Sequence, residues 1–226
     1  MKELGREMMA ELVLNVVLSN AHDSWFGIMP VYGLSRHPKT QQYLMVMAYA
    51  GHGTLEHRSL DPPTNWYDVS LIARSLACSL SDLHASDISH NDLHPGNVAF
   101  TLDHVALLIN VGLSQDVRDS NVSAGAYGRN PEVFEGHEQT QRSDVYCYAT
   151  MLWQLITGVP PSGVASVAVR TRAGGMREEM IPGAPEWLRW TLEECWNADP
   201  EARPDRGGCD AGGRSGRGLV GGHEAR

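Results

Sequence analysis

Positive charge is scarce in this sequence, and so is cysteine. Lys and Arg number 18 against 27 Asp and Glu, for a formal net charge of −9. That balance argues against a nucleic-acid partner and against an anionic membrane surface. The four cysteines, Cys78, Cys147, Cys195 and Cys209, include no C-x-x-C pair. Cys78, Cys147 and Cys195 fall in apolar helical patterns, so they read as small core residues in a reducing compartment, not as disulfides or zinc ligands. Long apolar runs are missing too. Stretches such as Val105 to Ile109 are far too short to cross a bilayer. The first residues lack the charged-then-apolar pattern of a secretory signal. A cytoplasmic location is the expectation. With no internal repeat in 226 residues, one sizeable core is expected.

What is present begins with helical periodicity. Met8, Leu12 and Val16 predict a helix over residues 3–18. Two apolar runs, Ile28 to Leu34 and Tyr43 to Tyr49, flank His37-Pro38-Lys39-Thr40 and predict a β-hairpin. Ile72, Leu76, Leu80 and Leu83 mark the buried face of a helix from Val69 to His84. A short hairpin is expected from Asn97 to Asn110 around Leu102-Asp103-His104. Residues 112–128 are polar and read as a mobile loop. Ser143-Asp144 opens a further helix, with Val145, Tyr148, Ala149, Leu152 and Ile156 on one face. It stops at Thr157-Gly158 before Pro160-Pro161. Pro185 to Trp196 reads as the last helix, with Leu188, Leu192, Cys195 and Trp196 inward. Trp66, Trp153, Trp187 and Trp190 read as core residues. His22, His37, His57 and His137 read as surface or loop residues. Residues 206–226, rich in Gly and Arg, bury too little to offset chain entropy and read as a disordered tail.

The chemistry concentrates in His90-Asn91-Asp92-Leu93-His94-Pro95-Gly96-Asn97. Pro95 and Gly96 forbid a helix, so Asp92 and Asn97 stand on a loop. A carboxylate and an amide at that spacing suit a site beside a nucleotide phosphate. Asp92 can accept a hydroxyl proton and Asn97 can offer its oxygen to Mg²⁺. His90 and His94 also form H-x-x-x-H, but the proline and the missing Glu after the first His argue against a zinc hydrolase.

This loop resembles the catalytic loop of eukaryotic protein kinases, H-R-D-x-x-x-x-N, and further landmarks follow in family order between residues 7 and 204. Helix 3–18 looks like the regulatory helix αC, with Glu11, or else Glu7, as its ion-pairing glutamate. No strand lysine or Gly-rich phosphate loop precedes that helix. Gly51-His52-Gly53 does not serve as one, since position 56 is Glu. Instead it resembles the linker after the hinge. Met45 to Ala50 resembles the hinge itself. By that match Met47 is the gatekeeper, and the backbone of Ala48 and Ala50 meets the adenine edge. Asn91 replaces the family Arg that often grips a phosphorylated loop. His94 stands where serine/threonine kinases carry a Lys. His94-Pro95-Gly96-Asn97 is similar to the tyrosine-kinase-like group, in particular its fungal members.

Asn110-Val111-Gly112 resembles D-F-G, with Asn in place of the chelating Asp. An amide offers Mg²⁺ a dipole where the family offers an anion, a loss of several kcal/mol. Asn130-Pro131-Glu132 resembles A-P-E, and Ser143-Asp144-Val145-Tyr146 resembles S-D-V-Y. Gly158-Val159-Pro160-Pro161, Ile181 to Pro185, Cys195-Trp196, Asp199-Pro200 and Arg203-Pro204 resemble the closing landmarks. The resemblance implies that Asp144 supports the catalytic loop and that Arg203 pairs with Glu132.

The resemblance implies an α+β protein-kinase-like fold with a mainly helical C-lobe and an incomplete N-lobe. The boundaries are 1–47 for the N-lobe remnant, 48–53 for the hinge and 54–205 for the C-lobe. ATP and Mg²⁺ are the implied cofactors, with Asn97 and Asn110 at the metal and Met47, Ala48, Ala50, Asn97 and Asn110 at the nucleotide. Asp92 and Asn97 are the implied catalytic pair, while His90, Glu11, Glu132, Asp144 and Arg203 are structural. Phosphoryl transfer to protein Ser/Thr or Tyr follows by resemblance, expected to be weak or absent because the Gly-rich loop and strand lysine are not found and Asn110 stands for Asp. The alternatives are a pseudokinase that binds signalling proteins and an incomplete gene product.

Overall fold

A computed structural model describes residues 6–20, 27–58, 65–111, 132, 137, 139–159 and 178–205. The readings placed on the loop 112–128, on Asn130-Pro131, on Pro160-Pro161, on His22, on Cys209 and on the tail lie outside them. The elements are α1 (Arg6–Asn20), β1 (Val31–Arg36), β2 (Tyr43–Met47), α2 (Leu55–Arg58), α3 (Trp66–Ala85), β3 (Val98–Phe100), β4 (Ala106–Leu108), α4 (Gln141–Thr157) and α5 (Glu186–Cys195). Short 3₁₀ turns cover Pro95–Asn97 and Pro200–Ala202. The fold is mixed α+β, consistent with the kinase-like expectation.

The strands form two antiparallel pairs, β1 with β2 and β3 with β4. In the first, Leu34 faces Met45, and the register shifts between Val31 and Gly33. In the second, Ala99 faces Leu107. The chain before β1 stitches the two pairs together. Leu108 N–H donates to Gly27 O (2.6 Å) and Met29 N–H to Leu108 O (2.8 Å). Only glycine fits at position 27, because a Cβ there would meet Ser79 Oγ of α3 at 1.4 Å.

The main core lies among α3, β3, β4, α4 and α5. Its fully buried members include Leu76, Leu83, Phe100, Leu108, Tyr146, Tyr148, Leu152, Leu188 and Leu192. Asn65 caps α3, its side-chain oxygen accepting from Asp68 N–H (2.9 Å). Helix α4 is not amphipathic. Every residue from Ser143 to Leu155 is buried, because α3 packs on one side and α5 on another. Tyr148 Oη donates to Ala73 O in α3 (3.0 Å), and Trp196 Nε1 donates to Thr150 Oγ1 of α4 (3.0 Å). Gly158 ends α4 in the left-handed region (φ 66°), where glycine carries no Cβ penalty.

Two expectations need correction, the burial of Cys78 and that of Trp66. Helix α1 forms as expected, with Asn15 and Leu18 buried and Leu12, Leu14 and Val16 half-buried. Its inward face is fixed by Asn15, whose Nδ2 donates to Val111 O (3.1 Å). Cys78 is exposed, whereas Cys147 and Cys195 are buried. In α3 it sits beside the inward stripe of Leu76, Ala77 and Leu80 and faces out. Trp66 is exposed, since the first turn of α3 projects beyond the core.

Glu132 and Arg203 form a bidentate ion pair, Nη1 to Oε1 at 2.5 Å and Nη2 to Oε2 at 2.8 Å. The Arg203 side chain is fully buried. Two further N–H groups are used, Nε donating to Asn197 O (2.9 Å) and Nη1 to Arg142 O (3.0 Å). Ser143 Oγ donates to Glu132 Oε1 (3.3 Å) and accepts from the Thr140 N–H that precedes α4 (3.0 Å). Removing one partner of such a pair strands a buried charge, at ~3–5 kcal/mol. Arg203→Ala should therefore lower the urea midpoint strongly, while Arg74→Ala on the exposed face of α3 should stay within ~0.5 kcal/mol of the parent. Coincident midpoints would show that the pair contributes nothing.

Candidate functional site

The site is assembled where α3 ends. Asp87 adopts a left-handed backbone (φ 57°) and turns the chain back toward α4. His90 is completely buried there, and Asn91 is again left-handed (φ 63°). Asparagine tolerates that region better than a bulkier residue, which suits it to this position. Asp144, in the first turn of α4, holds the loop by its main chain. His90 N–H donates to Oδ2 (2.8 Å) and Asn91 N–H to Oδ1 (3.0 Å). His84 at the end of α3 sets Nε2 2.9 Å from the same Oδ2. The carboxylate is 2% exposed, so these donors offset its desolvation.

His90 is a spacer of fixed tautomer. Its Nδ1 accepts from Asp92 N–H (3.4 Å), which leaves Nε2 to donate to Ile109 O (3.1 Å). One ring thus joins the Asp92 loop to the end of β4. Burial pushes its pKa below the ordinary value, against the smaller raising pull of Asp144. The ring is neutral in the folded protein at physiological pH.

Asp92 points out of this scaffold, with 32% of its side chain exposed. Asn97 Nδ2 donates both to Asp92 O (2.8 Å) and to Asp92 Oδ2 (3.2 Å). His94 Nδ1 accepts from Gly96 N–H (3.1 Å), so its Nε2–H faces Asp92 Oδ2 at 3.6 Å, an electrostatic rather than a hydrogen-bonded distance. Asn97 Oδ1 accepts from Asn110 Nδ2 at 2.8 Å. Asn110 is left-handed (φ 59°), and Asn15 of α1 holds the residue after it. The structure thus brings Asp92, Asn97 and Asn110 into one chain of amide donors that ends on a single carboxylate.

That donor set does not fit Mg²⁺. The cation needs several hard oxygens. Here one of the two amide oxygens expected at the metal, Asn97 Oδ1, already accepts a hydrogen bond, and its donor is the other expected ligand. Among the described residues, no group of three or more His, Cys, Asp or Glu side chains converges on a metal position.

The expected adenine side is built from β2 and β3. Met29, Ala99 and Leu107 form a second small buried cluster, against which Met47, Ala48, Ala50 and Ile109 pack. Ala48 N–H donates to Pro30 O (2.9 Å), and Ala50 O accepts from Gly53 N–H (3.0 Å). An adenine edge would therefore have to meet the carbonyl of Ala48 and the N–H of Ala50. Glu7 and Glu11 lie on α1, but their side chains are outside the described residues. Sequence reasoning missed His84, Asn15 and Ser143. His84 follows Leu80 by one helical turn on a buried face, and a titratable group in that register signals a buried partner.

Comparison with known proteins places this geometry in context. Residues 6–209 match the family model described as protein tyrosine and serine/threonine kinase. The serine/threonine-protein kinase mos of Xenopus laevis is 29% identical over 184 residues, covering 71% of this chain and 51% of that protein. Serine/threonine-protein kinase STY17 of Arabidopsis thaliana is 29% identical over 141 residues, covering 59% of this chain and 25% of that protein. Mitogen-activated protein kinase kinase kinase 7 of Homo sapiens is 27% identical over 192 residues, covering 79% and 31%. The chain spans about half or less of the length of these relatives.

The lowered pKa of His90 has a defined consequence. The unfolded chain binds more protons than the folded one once the pH drops below the unfolded value of 6.5. The contribution of neutral His90 is therefore complete above that pH and is lost as pH falls toward the folded value. Ring ¹⁵N shifts should show His90 mainly neutral and Nε2-protonated in the folded protein at pH 6.5, where an ordinary imidazole is half protonated. A doubly protonated ring there would contradict the spacer role.

Proposed function

Because the chain belongs to the protein tyrosine and serine/threonine kinase family, we propose that it is a kinase-fold signalling protein. In our reading, phosphoryl transfer from ATP is weak or absent, and the chain works by engaging protein partners. The observation that carries the reading is the hydrogen bond from Asn110 Nδ2 to Asn97 Oδ1. Phosphoryl transfer relies on fixed positive charge to neutralise the moving phosphoryl group. Exchanging an anionic ligand for a neutral amide some 4 Å from that charge costs ~4 kcal/mol at an effective dielectric of ~20. That corresponds to a loss of about three orders of magnitude in rate.

Residual transfer is the second reading, and a specific observation favours it. Asp92 is partly exposed and held by Asn97 from one side, with His94 beside it. It remains able to accept a proton from a Ser, Thr or Tyr hydroxyl. In this reading ATP would set its adenine edge against the backbone of Ala48 and Ala50, beside Met47. The sequence His94-Pro95-Gly96-Asn97 supports membership of the tyrosine-kinase-like group, and its fungal branch in particular. Cys78, Cys147 and Cys195 as free thiols support a reducing, cytoplasmic site of action.

Transfer of labelled phosphate from ATP to a generic protein acceptor, with Mg²⁺ present, separates the two readings. The parent chain should not exceed the Asp92→Asn variant, whose amide cannot take a proton. Transfer well above that background, abolished by Asp92→Asn with an unchanged melting temperature, would overturn the first reading in favour of the second.

A further inference from the structure

The orientation of the Asn97 amide is not free. Its Nδ2 faces two oxygens of Asp92, the carbonyl at 2.8 Å and Oδ2 at 3.2 Å. A flipped amide would set oxygen against both. Oδ1 must therefore point the other way, and whatever stands there at 2.8 Å must donate. Asn110 does. A carboxylate at position 110 would bring oxygen against oxygen, an arrangement stable only with a cation or a proton between them. The amide at 110 thus makes directly the link that an ionised carboxylate could make only through a bridging cation.

The neighbouring main chain is held just as directly. Ile109 O accepts from His90 Nε2 (3.1 Å), and Ile109 N–H donates to Asn97 O (3.0 Å). Val111 O accepts from Asn15 Nδ2 (3.1 Å), and Val111 itself is fully buried. Residues 109, 110 and 111 are each anchored by a different side chain, from the catalytic loop and from α1. The left-handed backbone of Asn110 suits Asn or Asp alike, so the choice between them is decided by the hydrogen bond and not by strain.

We propose that the Asn97–Asn110 hydrogen bond is a permanent substitute for a bridging divalent cation, joining the catalytic loop to residues 109–111 so that this site takes up no such cation. The inference rests on the kinase reading of the two segments but not on how active the chain is.

The test uses Mn²⁺ alone, followed by the paramagnetic resonance of the free ion, with melting temperature as a second readout. The parent chain should show no saturable uptake that depends on Asn97. Ions held elsewhere, for example at the stacked rings of His52 and His104 (centroids 4.0 Å apart), would persist unchanged in Asn97→Ala and so be recognised. Asn110→Asp should melt lower than the parent without metal, gain one saturable Mn²⁺ site and recover its melting temperature as that site fills. Asn110→Ala should melt lower and gain no site. Uptake by the parent that vanishes in Asn97→Ala would overturn the proposal. So would an Asn110→Asp variant that folds yet binds no Mn²⁺, or an Asn110→Ala variant that melts with the parent. If Asn110→Asp does not fold, the parent titration and Asn110→Ala still decide. A parent chain that transfers phosphate but takes up no Mn²⁺ would refute the low-activity reading and leave the substitution of the cation standing.

Discussion

The carboxylate of Asp144 holds this molecule's site in place. It sits in the first turn of α4, where the helix dipole favours negative charge, and it is buried. Each of its oxygens takes a main-chain N–H from the loop that carries Asp92, and one also faces His84 at the end of α3. A loop containing Pro95 and Gly96 has little structure of its own. Its shape is imposed by an anchor that cannot move, because α4 is packed on all sides.

The same turn of α4 does more than hold the loop. Arg142 gives its carbonyl to Arg203, Ser143 bonds to Glu132 and to the residue before the helix, and Asp144 takes the loop. Three consecutive residues serve the C-terminal end of the chain, the helix start and the candidate site. Loss of the Glu132–Arg203 pair therefore acts on the ground from which Asp144 works, even though neither residue touches Asp92. Contacting groups of this kind couple, so their effects will not add as independent terms.

Much of this was legible because it depends on local chemistry. The span of α3 followed from the repeat of Ile72, Leu76, Leu80 and Leu83, and the end of α4 from Thr157-Gly158. The loop of Asp92 was readable from a proline and a glycine between two polar groups. Glu132 and Arg203 could be paired only through family resemblance, since nothing local links residues so far apart in sequence. What stayed illegible is set by tertiary partners. The inward stripe of α1 is fixed by where Val111 O lies, and His84 is visible as a ligand only once Asp144 is opposite it. The exposures of Cys78 and Trp66 turn on a few tens of degrees of helix rotation and on where the core ends, which periodicity alone does not give. The direction of the Asn110 amide was beyond the sequence too. Asn in place of Asp shows a lost charge, but not that the new N–H is used.

The residues that build the fold and those that bear the chemistry can be separated here. Asp144, His84, His90, Glu132 and Arg203 are buried and mutually satisfied, and each supports the position of the main chain. Asp92 and Asn110 stand at the open edge. There a single change from carboxylate to amide replaces an electrostatic demand for a cation with a neutral hydrogen bond. Such a change leaves the packing intact and even removes a repulsion that a metal would otherwise have to relieve. The amide at position 110 thus stabilises the resting arrangement of the loop. The loop of Asp92 and residues 109–111 thereby hold one another through neutral hydrogen bonds, in a shape that does not wait on a metal.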